Sequence, residues 1–226
     1  MPCGLYGKLP AKRDYLALAV PRPFLEAWEP WLQGGLAASR LALGEDWTAA
    51  YLHAPIWRFW LGADIAGAAT LGAVMPSADG IGRYFPLTLV ARPAGAEPPP
   101  PEHDGFEGWF ETAEGFLLAT LSEPSFDAVT AGLAALPDPA PASAPPGSGV
   151  SRLRGGTLLG GADGGGIRAV FARMRPLAAA GLHAGMTHWW TAGGAGFPAR
   201  AVTSRGLPEP GFFGGMLTGR FDGCEL

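Results

Sequence analysis

Cysteine is nearly absent: Cys3 and Cys224 are the only two in 226 residues, and they sit near opposite ends of the chain. That excludes a dense disulfide framework, and a thiolate metal centre would need distant partners; two free thiols fit a reducing compartment. Excess charge of either sign is lacking too. A net charge of −4 and a pI near 5.5 give no electrostatic reason to bind nucleic acid or an anionic membrane surface. No apolar run approaches the length of a membrane span, and MPCGLYGKLPAKRDYLAL at the start has neither the apolar core nor the cleavage chemistry of a signal peptide. The expectation is a cytoplasmic protein with no direct membrane insertion.

Local catalytic signatures are missing as well. GLYGKL (4–9) has two residues between its glycines where a phosphate loop needs four, and Leu9 stands where Ser or Thr would hold magnesium. It reads as a Gly-Pro-rich entry to the first helix. Gly164, Gly166 and Ala169 fit the outline of a dinucleotide fingerprint, but no acid follows between Asp163 and Glu209 to bind a ribose, so a glycine loop is the simpler reading. His53, His103, His183 and His188 are scattered without H-x-x-x-H or C-x-x-C company, and no G-x-S-x-G elbow surrounds Ser77. No metal and no cofactor are expected.

What is present is a large apolar content, 48%, with eight Trp, 35 Gly and 23 Pro, which implies a folded chain with many turns. At 226 residues a single domain over 1–226 is the default. Phe24, Trp28, Trp31, Leu32 and Leu36 fall at helical spacing, with Pro30 predicting a short turn and then a longer helix that carries it in its first turn. Asp46 is placed to cap a helical turn through Trp47 and Tyr51. IWRFWL (56–61), LGAVM (71–75) and YFPLTLV (84–90) read as three strands joined by short links, hence antiparallel, the last beginning after Pro86 or lying at an edge. Phe106, Trp109, Phe110, Ala113 and Leu117 mark a second helix, and Ser122 or Ser125 can cap a third through Phe126, Val129, Leu133 and Leu136. A Pro/Ala-rich surface loop follows at about 137–150, and TLLGG, THWWTA and AVTS are strand candidates beyond it. The architecture expected is α/β, a sheet flanked by helices, mixed or largely antiparallel.

Charge is unevenly spread. Nine acids and no Lys or Arg lie between Pro93 and Ser151, whereas five Arg and no acid lie between Gly164 and Pro208. Solvated surface accounts for most such patterns, and a docking face is the alternative. Glu107, Glu111 and Glu114 fall on one helical stripe and are candidates to dock a basic partner.

MPSADGIGRYFPLTL (75–89) is the stretch where a site could hide. Asp79-Gly80 and Gly82 offer left-handed conformations for a strand connection, and Asp79 can pair with Arg83 across it. A turn suffices to explain the residues, and a partner-binding loop is the functional reading beside it. A hydrolase or nucleotide-binding site using Ser77, Asp79 and Arg83 stands as the alternative from another class.

GLYGKLPAKRDY, APIWRFWL, MPSADGIGRYFPLTL, HWWTA and RGLPEPGFF together resemble the TagF (ImpM-type) accessory proteins of bacterial type VI secretion systems. The matching positions are Gly7, Lys8, Leu9, Pro10, Asp14, Trp57, Pro76, Ser77, Asp79, Gly82, Arg83, Tyr84, Phe85, Pro86, Trp189, Trp190, Gly206, Leu207 and Pro208; the chain departs at Arg13, where the family commonly has Gly. The resemblance implies a three-layer α/β/α sandwich and a cytoplasmic, non-catalytic regulator that restrains the secretion machine after translation by binding a scaffold protein with a forkhead-associated domain. It carries no implication about oligomeric state.

Overall fold

The computed structural model describes residues 3–92, 97–102, 105–140, 149–153, 158–160, 166–194 and 196–221. Strand β1 (Cys3–Gly7) is followed by β2 (Leu16–Leu18), the long helix α1 (Arg22–Leu43) and the short α2 (Trp47–His53). Then come β3 (Trp57–Leu61), a single turn α3 (Ala63–Ala66), β4 (Thr70–Met75) and β5 (Leu87–Ala91). Helices α4 (Glu107–Thr120) and α5 (Phe126–Ala135) precede a small hairpin, β6 (Val150–Arg152) and β7 (Leu158–Gly160). The chain continues with α6 (Gly166–His183), β8 (Met186–Thr191), β9 (Arg200–Arg205) and α7 (Phe212–Thr218).

Seven strands form one sheet in the order β2-β1-β5-β4-β3-β8-β9, and every pairing in it is antiparallel. The mixed sheet left open by the sequence is therefore resolved to an antiparallel one. Strands β3, β4 and β5 pair as expected from their short links, and β5 begins at Leu87, just beyond Pro86, which could not have donated to the ladder.

Alternation along the strands divides the interior into two cores. On β3, Trp57, Phe59 and Leu61 face the side covered by α1 and α7, while Trp60 faces the side covered by α4 and α5. Val74 and Val90 join the first core; Leu71, Ala73, Leu87 and Leu89 join the second. Helices on both faces of one sheet make the three-layer α/β/α sandwich. The first core is aromatic: Trp28 lies 4.6 Å from Phe59 and 5.6 Å from Trp189, and Trp31 lies 4.9 Å from Trp189. Such ring pairs add about 0.5–1.5 kcal/mol each beyond buried area.

Four local expectations are corrected. GLYG belongs to β1 and is not a helix entry. α1 runs unbroken from Arg22 to Leu43 with Pro30 inside it; Pro30 lies on the exposed face, where water can satisfy the Glu26 carbonyl, and burial of Phe24, Trp28, Trp31 and Leu32 holds the helix together. Asp46 occupies the residue before α2 but makes no side-chain cap. Residues 166–169, read as a glycine loop, open the 18-residue helix α6, and Gly164 lies outside the described residues. Ser125, by contrast, caps α5 by accepting from the Ala128 N–H at 3.2 Å. Of the segment at 137–150, residues 141–148 lie outside the described residues; its first carbonyl, on Pro137, accepts from Trp109 Nε1 at 3.0 Å.

Candidate functional site

The loop between β4 and β5 is organised around the Asp79 carboxylate, whose side chain is fully shielded from solvent. Oδ1 accepts from the backbone N–H of Ile81 at 3.1 Å and of Arg83 at 2.9 Å. Oδ2 accepts from Lys8 Nζ at 3.0 Å and Arg83 Nε at 2.6 Å. Burial raises the carboxyl pKa, but the Arg83 N–H, the Lys8 ammonium, the Arg83 guanidinium and the Ile81 N–H outweigh it and hold the group well below the usual carboxylate range. An ionised carboxylate already accepting four hydrogen bonds is a poor proton acceptor and a good anchor.

Lys8 immediately follows β1, and the segment around it interlocks with the loop at several further points. Gly7 has φ +129, and a Cβ there would stand 2.0 Å from the Pro86 carbonyl oxygen, so glycine is required for the approach. The Gly80 N–H donates to the Lys12 carbonyl at 3.2 Å, and Arg83 Nη2 donates to the Arg13 carbonyl. Tyr15 and Phe85 meet edge to face at 4.8 Å, and Lys8 Nζ also lies over the Tyr15 ring. Only Gly82 in this loop takes a left-handed conformation, φ +81; Gly80 does not, contrary to the expectation from sequence. Gly80 is instead pressed against the chain at Pro10, whose carbonyl oxygen a Cβ would meet at 2.9 Å. Arg13 is exposed and contributes only its carbonyl, which fits the tolerance of Arg there in place of Gly.

Ser77 is buried, and its backbone rather than its hydroxyl is engaged: Tyr51 Oη donates to the Ser77 carbonyl at 2.8 Å and accepts from its N–H at 3.0 Å. The Ser77 Oγ has no hydrogen-bond partner among the described residues. A serine nucleophile needs a base in hydrogen-bond reach, and here none holds the hydroxyl. Tyr84 completes the support, with its ring 5.5 Å from that of Tyr51.

Most of the remaining matched positions are packing elements. Leu9 is buried in the α4/α5-side core; Asp14 is exposed. Trp57 Nε1 donates to the Met216 carbonyl at 3.0 Å, tying β3 to α7. Trp189 joins the aromatic core, while Trp190, on the opposite face, meets Phe110 of α4 at 5.0 Å. Gly206 turns the chain at φ +72, Leu207 packs against the same core as Trp189, and the Pro208 carbonyl accepts from Trp31 Nε1 at 2.8 Å.

The acidic stripe on α4 is partly engaged. Arg58 of β3 points from the sheet toward α4, where Nε donates to Glu114 at 2.6 Å and Nη1 donates to Glu107. Its guanidinium lies 5.1 Å from the Phe110 ring centroid. Burial lowers the Arg58 pKa, and the two carboxylates more than reverse that, so the side chain stays charged. Glu111 is exposed, and Glu107 retains an exposed side chain. No local pattern pointed to Arg58, because its partners lie about 50 residues away.

Two histidines that look scattered in the sequence are brought together. His183 in the last turn of α6 and His188 of β8 approach to 3.2 Å between Nδ1 and Nε2. Burial and the neighbouring His183 lower the His188 pKa, with Glu102 opposing them. The five-residue spacing crosses a helix end and a strand start, so neither period reveals it.

The model of the TagF N-terminal domain, described as type VI secretion system-associated, matches residues 4–136. The chain belongs to the TagF family. It is therefore a type VI secretion-associated protein. The crystal structure of PA0076 from Pseudomonas aeruginosa PAO1 superposes on it with a TM-score of 0.76 at 34% sequence identity, covering 99% of this chain and 97% of that one. No curated protein sequence matches the chain. The two segments that interlock at Asp79, 4–15 and 75–89, both fall inside the matched TagF domain. Among the described residues no helix is long and apolar enough to cross a membrane.

Proposed function

We propose that this TagF protein is a non-catalytic, ImpM-type regulator that restrains type VI secretion after translation, in the cytoplasm, by binding a scaffold protein with a forkhead-associated domain. The observation that carries this reading is the engagement of Asp79, which spends its hydrogen-bonding capacity inside the fold, on Lys8, Ile81 and Arg83. The hydrolase reading loses its base with Asp79 and its activated nucleophile with Ser77. Regulation by differential binding needs neither: holding the scaffold in a form that cannot recruit the next component is enough.

We assign two surface elements to the scaffold, the outer side of this loop and the acidic side of α4. Ile81 is 58% exposed and the Arg83 side chain 53% exposed, so both present themselves to a partner while Asp79 fixes their position from below. Glu107, Glu111 and Glu114 supply the acidic element for a basic partner surface, with Glu111 the least engaged by the chain itself. We also read residues 1–226 as one domain, since strands from before and after the 137–150 segment share one sheet.

The test is a pull-down from lysate of a type VI-competent cell with wild-type protein and the Ile81→Asp/Glu111→Lys variant, both checked for folding by circular dichroism. Retention of the scaffold by wild type and its loss from the folded variant are expected. Equal retention by both moves the binding surface elsewhere, and failure of wild type to retain it overturns the reading.

A further inference from the structure

We infer that His183, His188 and Glu102 form a binding site for a divalent transition metal, zinc first among them, that clasps the end of α6 to β8 and to the segment after β5. One ligand atom from each residue lies within 4.8 Å of the others. His183 Nδ1 and His188 Nε2 are 3.2 Å apart. Two nitrogens bound at about 2.0–2.1 Å to a tetrahedral zinc are separated by about 3.3 Å, so the pair already has the span that one ion requires.

The tautomer is arranged for ligation. Thr203 Oγ1 lies 3.1 Å from His188 Nδ1 and 3.4 Å from the Thr187 carbonyl, and with its proton given to that carbonyl it takes the Nδ1 proton as acceptor, the tautomer the proposal requires. With its proton on Nδ1, His188 turns the lone pair of Nε2 toward His183. A ligating imidazole is commonly oriented in this way by a hydrogen bond from its other nitrogen. Trp60 packs edge-on to both rings, at 5.5 Å from His188 and 6.3 Å from His183, and gives the site an apolar wall. The same indole donates to the Pro98 carbonyl at 3.0 Å and thereby anchors the segment that carries Glu102.

Glu102 Oε2 is 3.8 Å from His183 Nε2, and its side chain is 59% exposed. To ligate an ion held by His183 Nδ1 and His188 Nε2, this exposed side chain turns away from His183 Nε2. Two imidazoles and one carboxylate leave a fourth position for water or a partner's ligand. Imidazole-rich sets of this kind suit zinc and its late first-row neighbours, not calcium or magnesium. The site lies on the face of the sheet opposite the α1 core and draws on three separated segments, so occupancy would stiffen the later part of the chain against the earlier part.

The experiment is calorimetric titration of Zn²⁺ into chelator-treated full-length protein, with Co²⁺ absorption as the probe of geometry. Wild type should bind one ion per chain and show tetrahedral Co²⁺ bands. Removing a ligand by His183→Gln or Glu102→Gln, both at positions with solvent access, should weaken binding at least tenfold, and Thr203→Val should weaken it about tenfold by freeing the His188 tautomer. His53→Gln, on a distant helix, should leave it unchanged. Zinc should raise the thermal midpoint of wild type and not of His183→Gln, which separates a site in the fold from surface binding. Absence of stoichiometric binding in wild type, or affinity unchanged in either His183→Gln or Glu102→Gln, would overturn the proposal.

Discussion

The Lys8 ammonium stands 3.0 Å from Asp79 Oδ2, with the Lys8 side chain 4% exposed and that of Asp79 fully covered. A pair joining residues 71 positions apart makes the β1 end and the β4–β5 loop one structural unit. Lys8→Met leaves a buried carboxylate with one charge partner fewer, and Asp79→Asn leaves a buried ammonium without its counter-charge. Each single variant should lower the urea midpoint, and the double variant should lose less than the two losses added together. Strict additivity would mean the two side chains do not interact.

Acid should reveal the same group. The folded-state pKa of Asp79 lies below its unfolded value of about 3.9, so its stabilising contribution is complete above that value and is lost as pH falls toward the folded pKa. Urea unfolding between about pH 5 and pH 2 should show a steeper loss for wild type than for Asp79→Asn. Parallel curves would show that the carboxylate gains nothing from its four donors.

Engagement with Arg58 orders the three acids of the α4 stripe by how much each should matter. Glu114 accepts with both oxygens from a buried guanidinium and is itself only 23% exposed, so Glu114→Ala should cost about 2 kcal/mol. Glu107, 67% exposed, should cost about 1 kcal/mol or less. Glu111→Ala should stay within about 0.5 kcal/mol, which is also what makes Glu111 suitable for testing partner binding without disturbing the fold. Denaturant unfolding of the three variants gives the order directly.

Two glycines should respond oppositely to alanine. Gly115 lies inside α4 with open space where a Cβ would go, so Gly115→Ala should stabilise by about 0.5–1 kcal/mol through helix propensity. Gly7→Ala places a methyl against the Pro86 carbonyl at a φ of +129 and should prevent formation of the native β1–β5 edge. Thermal melts of the two variants, moved in opposite directions, check this.

Cys3 is fully buried in β1, and burial, then the Asp138 charge, pushes its thiol up to about 12. In a Cys224→Ser background the thiol should react with a disulfide reagent only after unfolding. Rapid reaction in native buffer would place Cys3 at an accessible position.

The sequence made legible those features whose causes are local. Trp109, Phe110, Ala113 and Leu117 of the predicted stripe are on the buried face of α4, with Phe106 buried at the residue before it, and Ser125 caps α5 because its hydroxyl reaches three residues onward. Asp79 and Arg83 pair across four residues, as their spacing suggested. Features that depend on distant partners left no such trace: Lys8 on Asp79, Arg58 on Glu114, and the approach of His188 to His183 around a helix end. α6 was hidden by composition, because its glycine start and internal Pro176 imitate a loop. α1 was divided in two by Pro30 for the same reason, whereas its aromatic face holds the helix together across the missing hydrogen bond.

Under the proposed function this TagF protein works by stoichiometric capture and not by turnover. The most direct measurement is titration of the purified chain into a purified type VI scaffold bearing a forkhead-associated domain, following complex formation by calorimetry and scaffold activity in parallel. The expected result is a complex of fixed stoichiometry and loss of scaffold activity in proportion to complex formed. Inactivation of a large excess of scaffold by a trace of this protein, or no complex at all, would contradict it.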